Sequence, residues 1–357
     1  MTNRTLVYVG SYAEESGPSI YVCQFNEENG ELHPLQSITD FRNPTFLNVD
    51  VNHHRVYAIG ETADAAGNKV GEVAAFAIDP ATGELELINR KQSVASTTCH
   101  IQRDQGSGWL TVTSYHGGMI GLIAIAEDGS IGEILDVAQH AGAGKDPERQ
   151  DKPHPHSSFY SPDEQYLFVQ DLGMDQIVSY KVDRKLGKLQ RHGVTTLHPG
   201  AGPRHLVFHP TGAFAYVINE LDSTVTAYQY IAAKGELVEI ATVSTLPADF
   251  TGENGCAEIT ISADGKFLYG SNRGHDSIVV YAINEQTGEL TTIQIVKVGG
   301  GHPRHFALTP NNQFLLAANR DTNNIVTFKR DSETGMLENT GKQLLLSQPV
   351  CVIPVTL

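Results

Sequence analysis

Three residues able to hold an anion or move a proton, His156, Arg204 and Arg304, stand at matching places in the chain. Each opens a short β-type run, and Thr45 and Ala257 fall in the same register. A structural repeat would normally carry a small or apolar residue there, because a guanidinium is costly to desolvate unless it faces water or an anion. A second register, in the turn after the following run, holds Arg273 (SNR) and Arg320 (ANR). Glu220 (INEL) and Glu61 (IGET) occupy nearly the same place in other copies. Arginine's planar fork suits carboxylate or phosphate oxygens, and a histidine with a glutamate can move protons near neutral pH. The set therefore points to proton-transfer chemistry on a small anion. The plainer alternative pairs Arg273 with Asp276 and Arg320 with Asp321 inside their own turns. His154-x-His156 has the spacing of two metal ligands on one strand face. No third ligand accompanies the pair, so neither a metal nor a cofactor is expected. No phosphate-cradling glycine loop, G-x-S-x-G elbow or H-E-x-x-H occurs.

The elements that must position these residues recur along the chain. Lys266–Ser271 and Ser277–Ile283 alternate in the β manner around the turn Asn272–Asp276, and a second turn at Asn284–Gly288 leads to a third run. The strand before the first turn is anchored at Tyr8, Tyr57, Thr111, Phe168, Tyr216, Tyr269 and Leu316. The third is entered through Gly-x-Leu/Ile at Gly30, Gly83, Gly129, Gly187, Gly235, Gly288 and Gly335. Both series step by 46 to 58 residues and agree on seven copies. A period near 50 with four strand-like runs per copy predicts an all-β, seven-bladed propeller with four-stranded antiparallel blades, a single domain over residues 1–357. The fourth run of each copy is the candidate channel strand. The phase at the two ends puts the run Val350–Val355 innermost in the blade that starts at Leu6, which closes the ring and removes two open edges.

One copy departs from the pattern. Ala141–Pro155, AGAGKDPERQDKPHP, is too polar for core and reads as a loop over one face of the ring, where function is commonly housed. Trp109, the single tryptophan, is expected to pack between blades. The formal charge of -16 disfavours nucleic acid and anionic membrane as partners, while leaving room for a local arginine cluster. No stretch has signal-peptide character and nowhere do 18 apolar residues run together, so a soluble, cytoplasmic protein is expected. Cys23, Cys99, Cys256 and Cys351 lie far apart and read as free thiols.

Long runs of the chain resemble the propeller-type lactonases, a family that includes bacterial 6-phosphogluconolactonase and the fungal carboxymuconate-lactonizing enzyme. They are VGSY at Val9, PERQDKPHPHS at Pro147, DLGMDQI at Asp171, and GPRHLVFHPTGAFAYVINELDSTV at Gly202. LPADFTGENGCAEI at Leu246, SNRGHDSI at Ser271, HPRHFALTP at His302 and QPVCVI at Gln348 complete the set. The resemblance implies a catalytic set of His156, Arg204, Glu220 and Arg273; beside that set, Arg304, His154 and Arg320 are expected to bind substrate. It implies hydrolysis of a sugar-acid lactone, 6-phospho-D-glucono-1,5-lactone to 6-phosphogluconate, with a small anionic lactone as the partner molecule. Either Glu220 or His156 would activate the water and the other would protonate the leaving ring oxygen. Lactonization of a muconate-type acid is the rival within enzymology, and an interaction scaffold is the rival outside it.

Overall fold

The computed structural model describes residues 4–357, and residues 1–3 lie outside it. Seven four-stranded antiparallel sheets form the blades of a ring. Blade 1 is ordered Pro349–Thr356, Thr5–Ser11, Ile20–Phe25, Leu32–Ile38 from the channel outward, with Leu6 opposite Val355. The C-terminal strand is therefore innermost in the blade that the N-terminal strand begins, as the repeat phase requires. Blades 2 to 7 follow in chain order, with innermost strands Leu47–Asp50, His100–Arg103, Pro155–Tyr160, Pro203–Phe208, Gly255–Ile261 and Pro303–Leu308.

Each blade is apolar on both faces because it is covered by a neighbour on each side. Second strands such as Phe214–Asn219 and Phe314–Asn319 are buried throughout, whereas an outermost strand such as Leu337–Leu345 alternates with solvent. Seven apolar clusters occupy the seven seams between blades, in place of one central core. Trp109 of blade 3 lies under Arg184 of blade 4 at 5.4 Å, at such a seam.

The two anchor series of the repeat meet physically. The hydroxyl of Tyr8 donates to the carbonyl of Gly83 in the next blade at 3.0 Å, and Tyr57–Gly129, Tyr216–Gly288 and Tyr269–Gly335 repeat the contact. These glycines have φ between 71° and 84°, a left-handed conformation that a side chain would strain. Tyrosine and glycine thus recur together because each latch needs one from either blade.

Candidate active site

The register shared by His156, Arg204, Ala257 and Arg304 is a β-bulge. Pairing with the second strand skips His156 between Pro155 and Ser157, Arg204 between Pro203 and His205, and Arg304 between Pro303 and His305. In blade 6 the irregularity spans Cys256 to Ile259 and includes Ala257 and Glu258. A bulged residue leaves the ladder and its side chain is re-aimed. Here the re-aimed groups gather at one mouth of the channel.

Their centre is Glu220, the residue after strand Phe214–Asn219. Its Oε2 accepts from Arg204 Nε at 3.0 Å and lies 2.8 Å from a terminal nitrogen of Arg273, while its Oε1 accepts from Arg149 at 2.6 Å. Arg204 also donates to the carbonyl of Ala257 at 2.6 Å. Arg273 donates to the carbonyls of Gly255 and Cys256 at 3.1 and 2.7 Å. The alternative pairing of Arg273 with Asp276 is not formed; Asp276 instead accepts from the backbone of Gly274 and His302. Burial opposes ionisation of Glu220, but Arg273, Arg204 and Arg149 outweigh it and hold its carboxyl well below the usual range. Burial, reinforced by Arg273 and Arg304, brings Arg204 down to about 9, still cationic at neutral pH.

A cavity of about 340 Å³ opens above this cluster. His156, Arg149, Glu220, Arg273 and Arg304 line it, together with Glu61, Tyr115 and His116. His156 is buried, and burial together with Arg204 keeps its imidazole neutral, far below its ordinary pKa. Its Nδ1 has no partner among the described residues. The Arg304 guanidinium stacks over Tyr12 at 5.8 Å, and among the described residues it makes no hydrogen bond or ion pair. Three guanidinium groups (Arg149, Arg273, Arg304) and two carboxylates (Glu220, Glu61) line the cavity, a local excess of one positive charge in a chain whose net charge is -16, with Arg204 paired to Glu220 beneath. That excess, in a partly desolvated site, attracts anions.

Two residues expected to bind substrate do not reach the cavity. The ring of His154 stacks on Tyr115 at 4.1 Å, its Nδ1 meets the Tyr115 carbonyl at 2.8 Å, and its Nε2 meets Asp151 at 3.3 Å. With both nitrogens engaged, His154 supports the wall. Arg320 pairs with Asp321 at 2.6 Å inside its own turn, the plainer arrangement, and borders a separate cleft with Glu14 and Gln348. Arg204 lies beneath Glu220, only 2 % exposed.

Sequence reasoning missed Arg149 and Tyr115. Arg149 belongs to the insertion between blades 3 and 4, whose length and polarity were its signal. The buried Gln150 ties this loop down, accepting from the Lys145 and Asp146 amides at 3.0 Å and donating to the Leu172 carbonyl at 2.8 Å and to Asp175 at 2.6 Å. Asp175 in turn accepts from the amides of Gly200 and Gly202, just before Arg204. Asp171 receives the His154 amide at 2.8 Å and pairs with His140. The two aspartates of DLGMDQI therefore fix the loop that delivers Arg149.

Fold and site together give a seven-bladed propeller with an arginine-rich pocket, lined also by His156 and Glu220, at one channel mouth. A family model described as lactonase, 7-bladed beta-propeller, matches residues 6–354. The 6-phosphogluconolactonase of Bacillus subtilis (strain 168) is 37% identical over 345 residues, 97% of each chain. A protein of the same name from Formosa agariphila is 37% identical over 347 residues, 96% of this chain and 97% of its own. The solved structure of the periplasmic gluconolactonase of Pseudomonas aeruginosa superposes with a TM-score of 0.92 at 30% identity, covering 99% of both chains. The chain belongs to the seven-bladed β-propeller lactonase family.

Proposed function

We propose that this protein hydrolyses a sugar-acid lactone, 6-phospho-D-glucono-1,5-lactone, to the open-chain acid. The observation that carries this reading is the excess of guanidinium charge around one neutral, buried histidine, in a chain of the lactonase family. His156 takes a proton from a water as that water attacks the lactone carbonyl carbon. Arg273 stabilises the oxyanion that forms on the carbonyl oxygen. As the bond from that carbon to the ring oxygen breaks, the His156 imidazolium returns its proton to the ring oxygen. The new carboxylic acid then ionises to solvent. Glu220 has both oxygens engaged and a depressed pKa, so it is assigned to holding Arg149, Arg204 and Arg273 in place rather than to carrying a proton. Arg304, with an uncommitted guanidinium, and Arg149 hold the phosphate. A general base contributes about 10²–10⁴-fold and one oxyanion donor about 10²–10³-fold.

The same reading places the reaction in the cytoplasm. A sugar phosphate does not cross a bilayer unaided, and four free thiols suit a reducing compartment. No helix among the described residues is long and apolar enough to span a membrane, and the net charge of -16 argues against nucleic acid and anionic lipid as partners. The test is the rate of loss of freshly generated 6-phosphogluconolactone, compared with unphosphorylated gluconolactone and with carboxymuconate. A kcat/KM at least about tenfold higher for the phosphorylated lactone is expected, the worth of one charge-assisted contact. Equal rates with gluconolactone would remove the phosphate assignment, and turnover of carboxymuconate alone would replace the reaction.

A further inference from the structure

Below the cavity the channel holds a second line of buried titratable groups, outside the set described so far. His205 follows Arg204, and its Nδ1 lies 3.2 and 3.1 Å from the two oxygens of Glu258. Glu258 Oε2 also lies 3.2 Å from His305 Nε2, and its Oε1 accepts the Ile259 amide at 3.0 Å. All three residues are buried. Burial pushes the Glu258 carboxyl upward, opposed by His305 and Arg204. The N–H donors at its oxygens favour the ionised form.

The donors fix the tautomers. The Val352 amide donates to His305 Nδ1 at 3.3 Å, so the His305 proton resides on Nε2, toward Glu258. Glu258 likewise takes the proton of His205 Nδ1, which leaves His205 Nε2 a bare lone pair, buried and without a partner. The His156 ring stands edge-on to the His205 ring, centroids 5.3 Å apart, and its Nδ1 is likewise buried without a partner, as is Nε2 of the neighbouring His100. If His156 is to offer the Nε2 lone pair to the cavity, its proton must be on Nδ1 and must find an acceptor.

We propose that His205, backed by Glu258, is the positioning residue for His156: His205 Nε2 is the acceptor for His156 Nδ1–H, a bond that neither nitrogen makes in this structure and that a small turn of the adjacent rings completes, fixing that tautomer and stabilising the imidazolium. This rests on the reading of His156 as the base, and the hydrogen bond tightens as charge develops during the reaction. The sequence carries the arrangement as Pro-Arg-His at Pro203–His205 and again at Pro303–His305. In each, the bulge puts the arginine at the site and the histidine beside Glu258. The other groups facing His205 are His100, with centroids 5.4 Å apart, and the charges of Arg204, Arg304, Glu220 and Arg273.

The test is ¹⁵N NMR of histidine-labelled protein, wild type, Glu258→Gln and His205→Gln, with lactone kinetics on the same samples. Wild type at pH 7 should carry the proton on Nδ1 in both His156 and His205. In both variants His156 should shift toward the Nε2–H tautomer, and kcat should fall at least about tenfold, part of the general-base contribution, with KM nearly unchanged. A wild-type His156 protonated on Nε2 would overturn the proposal. So would an unaltered His156 tautomer in both variants accompanied by loss of thermal stability alone, the result expected of rings that merely plug the channel. Should neither variant fold, the wild-type spectrum decides. Should wild type turn over no lactone, the functional reading fails while the tautomer result still stands or falls by itself.

Discussion

Arg149 reaches Glu220 at 2.6 Å although 71 residues separate them, so the loop between blades 3 and 4 is tied to blade 5 across the channel mouth. Arg149 is nearly half exposed, whereas Glu220 is buried. One end of the pair is therefore free to turn toward a ligand while the other remains a fixed anchor.

Replacement of Arg149 by alanine should act mainly on binding. Loss of one charge-assisted contact, about 1.5–3 kcal/mol, should raise KM for the phosphorylated lactone about tenfold or more, with kcat within a few-fold. Unphosphorylated gluconolactone should show a smaller change. Steady-state kinetics on both substrates checks this, and equal losses on the two would remove Arg149 from phosphate binding.

Glu220→Gln should cost about 3–5 kcal/mol of stability, the usual consequence of removing one partner from a buried ionic cluster. The folded pKa of Glu220 is depressed, so its contribution is fully present above the unfolded value near 4.5 and is lost as pH falls from there toward the folded pKa. Denaturant melts of wild type and variant should differ most above pH 5 and converge toward pH 3. A gap that is constant over that range would contradict the assignment of the charge.

A separate pH dependence comes from the channel histidines. Burial, with the neighbouring arginines adding to it, holds His100, His156 and His205 far below 6.5 and His305 down to about 4. Such groups protonate in the unfolded chain first, so stability falls as pH drops below about 6.5, by up to about 1.4 kcal/mol per pH unit for each. Glu258, raised by burial, has the opposite sign and offsets part of this loss. Thermal midpoints should therefore decline steeply from pH 6.5 to 5, while the kcat/KM profile stays free of a limb near 6.5. A flat midpoint over that interval would mean the histidines are hydrated.

The ring was legible in the sequence because Tyr8 and Gly83, and their counterparts, belong to one interblade contact and so recur at one period. The shared register of His156, Arg204 and Arg304 was legible too, since each occupies the same bulge. Arg149 was not, because its place depends on how Gln150 folds an insertion that has no counterpart in other blades. His154 and Arg320 were misplaced for different reasons. The spacing of His154 and His156 treats them as strand neighbours, but the strand begins at Pro155 and bulges at His156.

Arg320 shows why register alone cannot assign a partner, and it supplies the control for the arginine panel. In the first-turn register, Arg273 has Glu220 one blade back, an anion it reaches at 2.8 Å. Arg320 has Arg273 one blade back, a cation, and so turns to Asp321 at 2.6 Å. Arg273→Ala and Arg304→Ala should each lower kcat/KM at least about tenfold, since each removes a charge-assisted contact of roughly 1.5–3 kcal/mol. Arg304→Ala should leave the thermal midpoint near wild type, because its guanidinium has no partner among the described residues and faces the cavity. Arg204→Ala should lose activity and stability together: it strips a buried guanidinium from Glu220 and from the Ala257 carbonyl. Arg320→Ala should change turnover by less than about twofold, as expected for an exposed ion pair. The kinetics and melts of the four variants separate the roles. Full activity in Arg273→Ala and Arg304→Ala would dismiss the channel mouth as the site, and a tenfold loss in Arg320→Ala would extend the site into the neighbouring cleft.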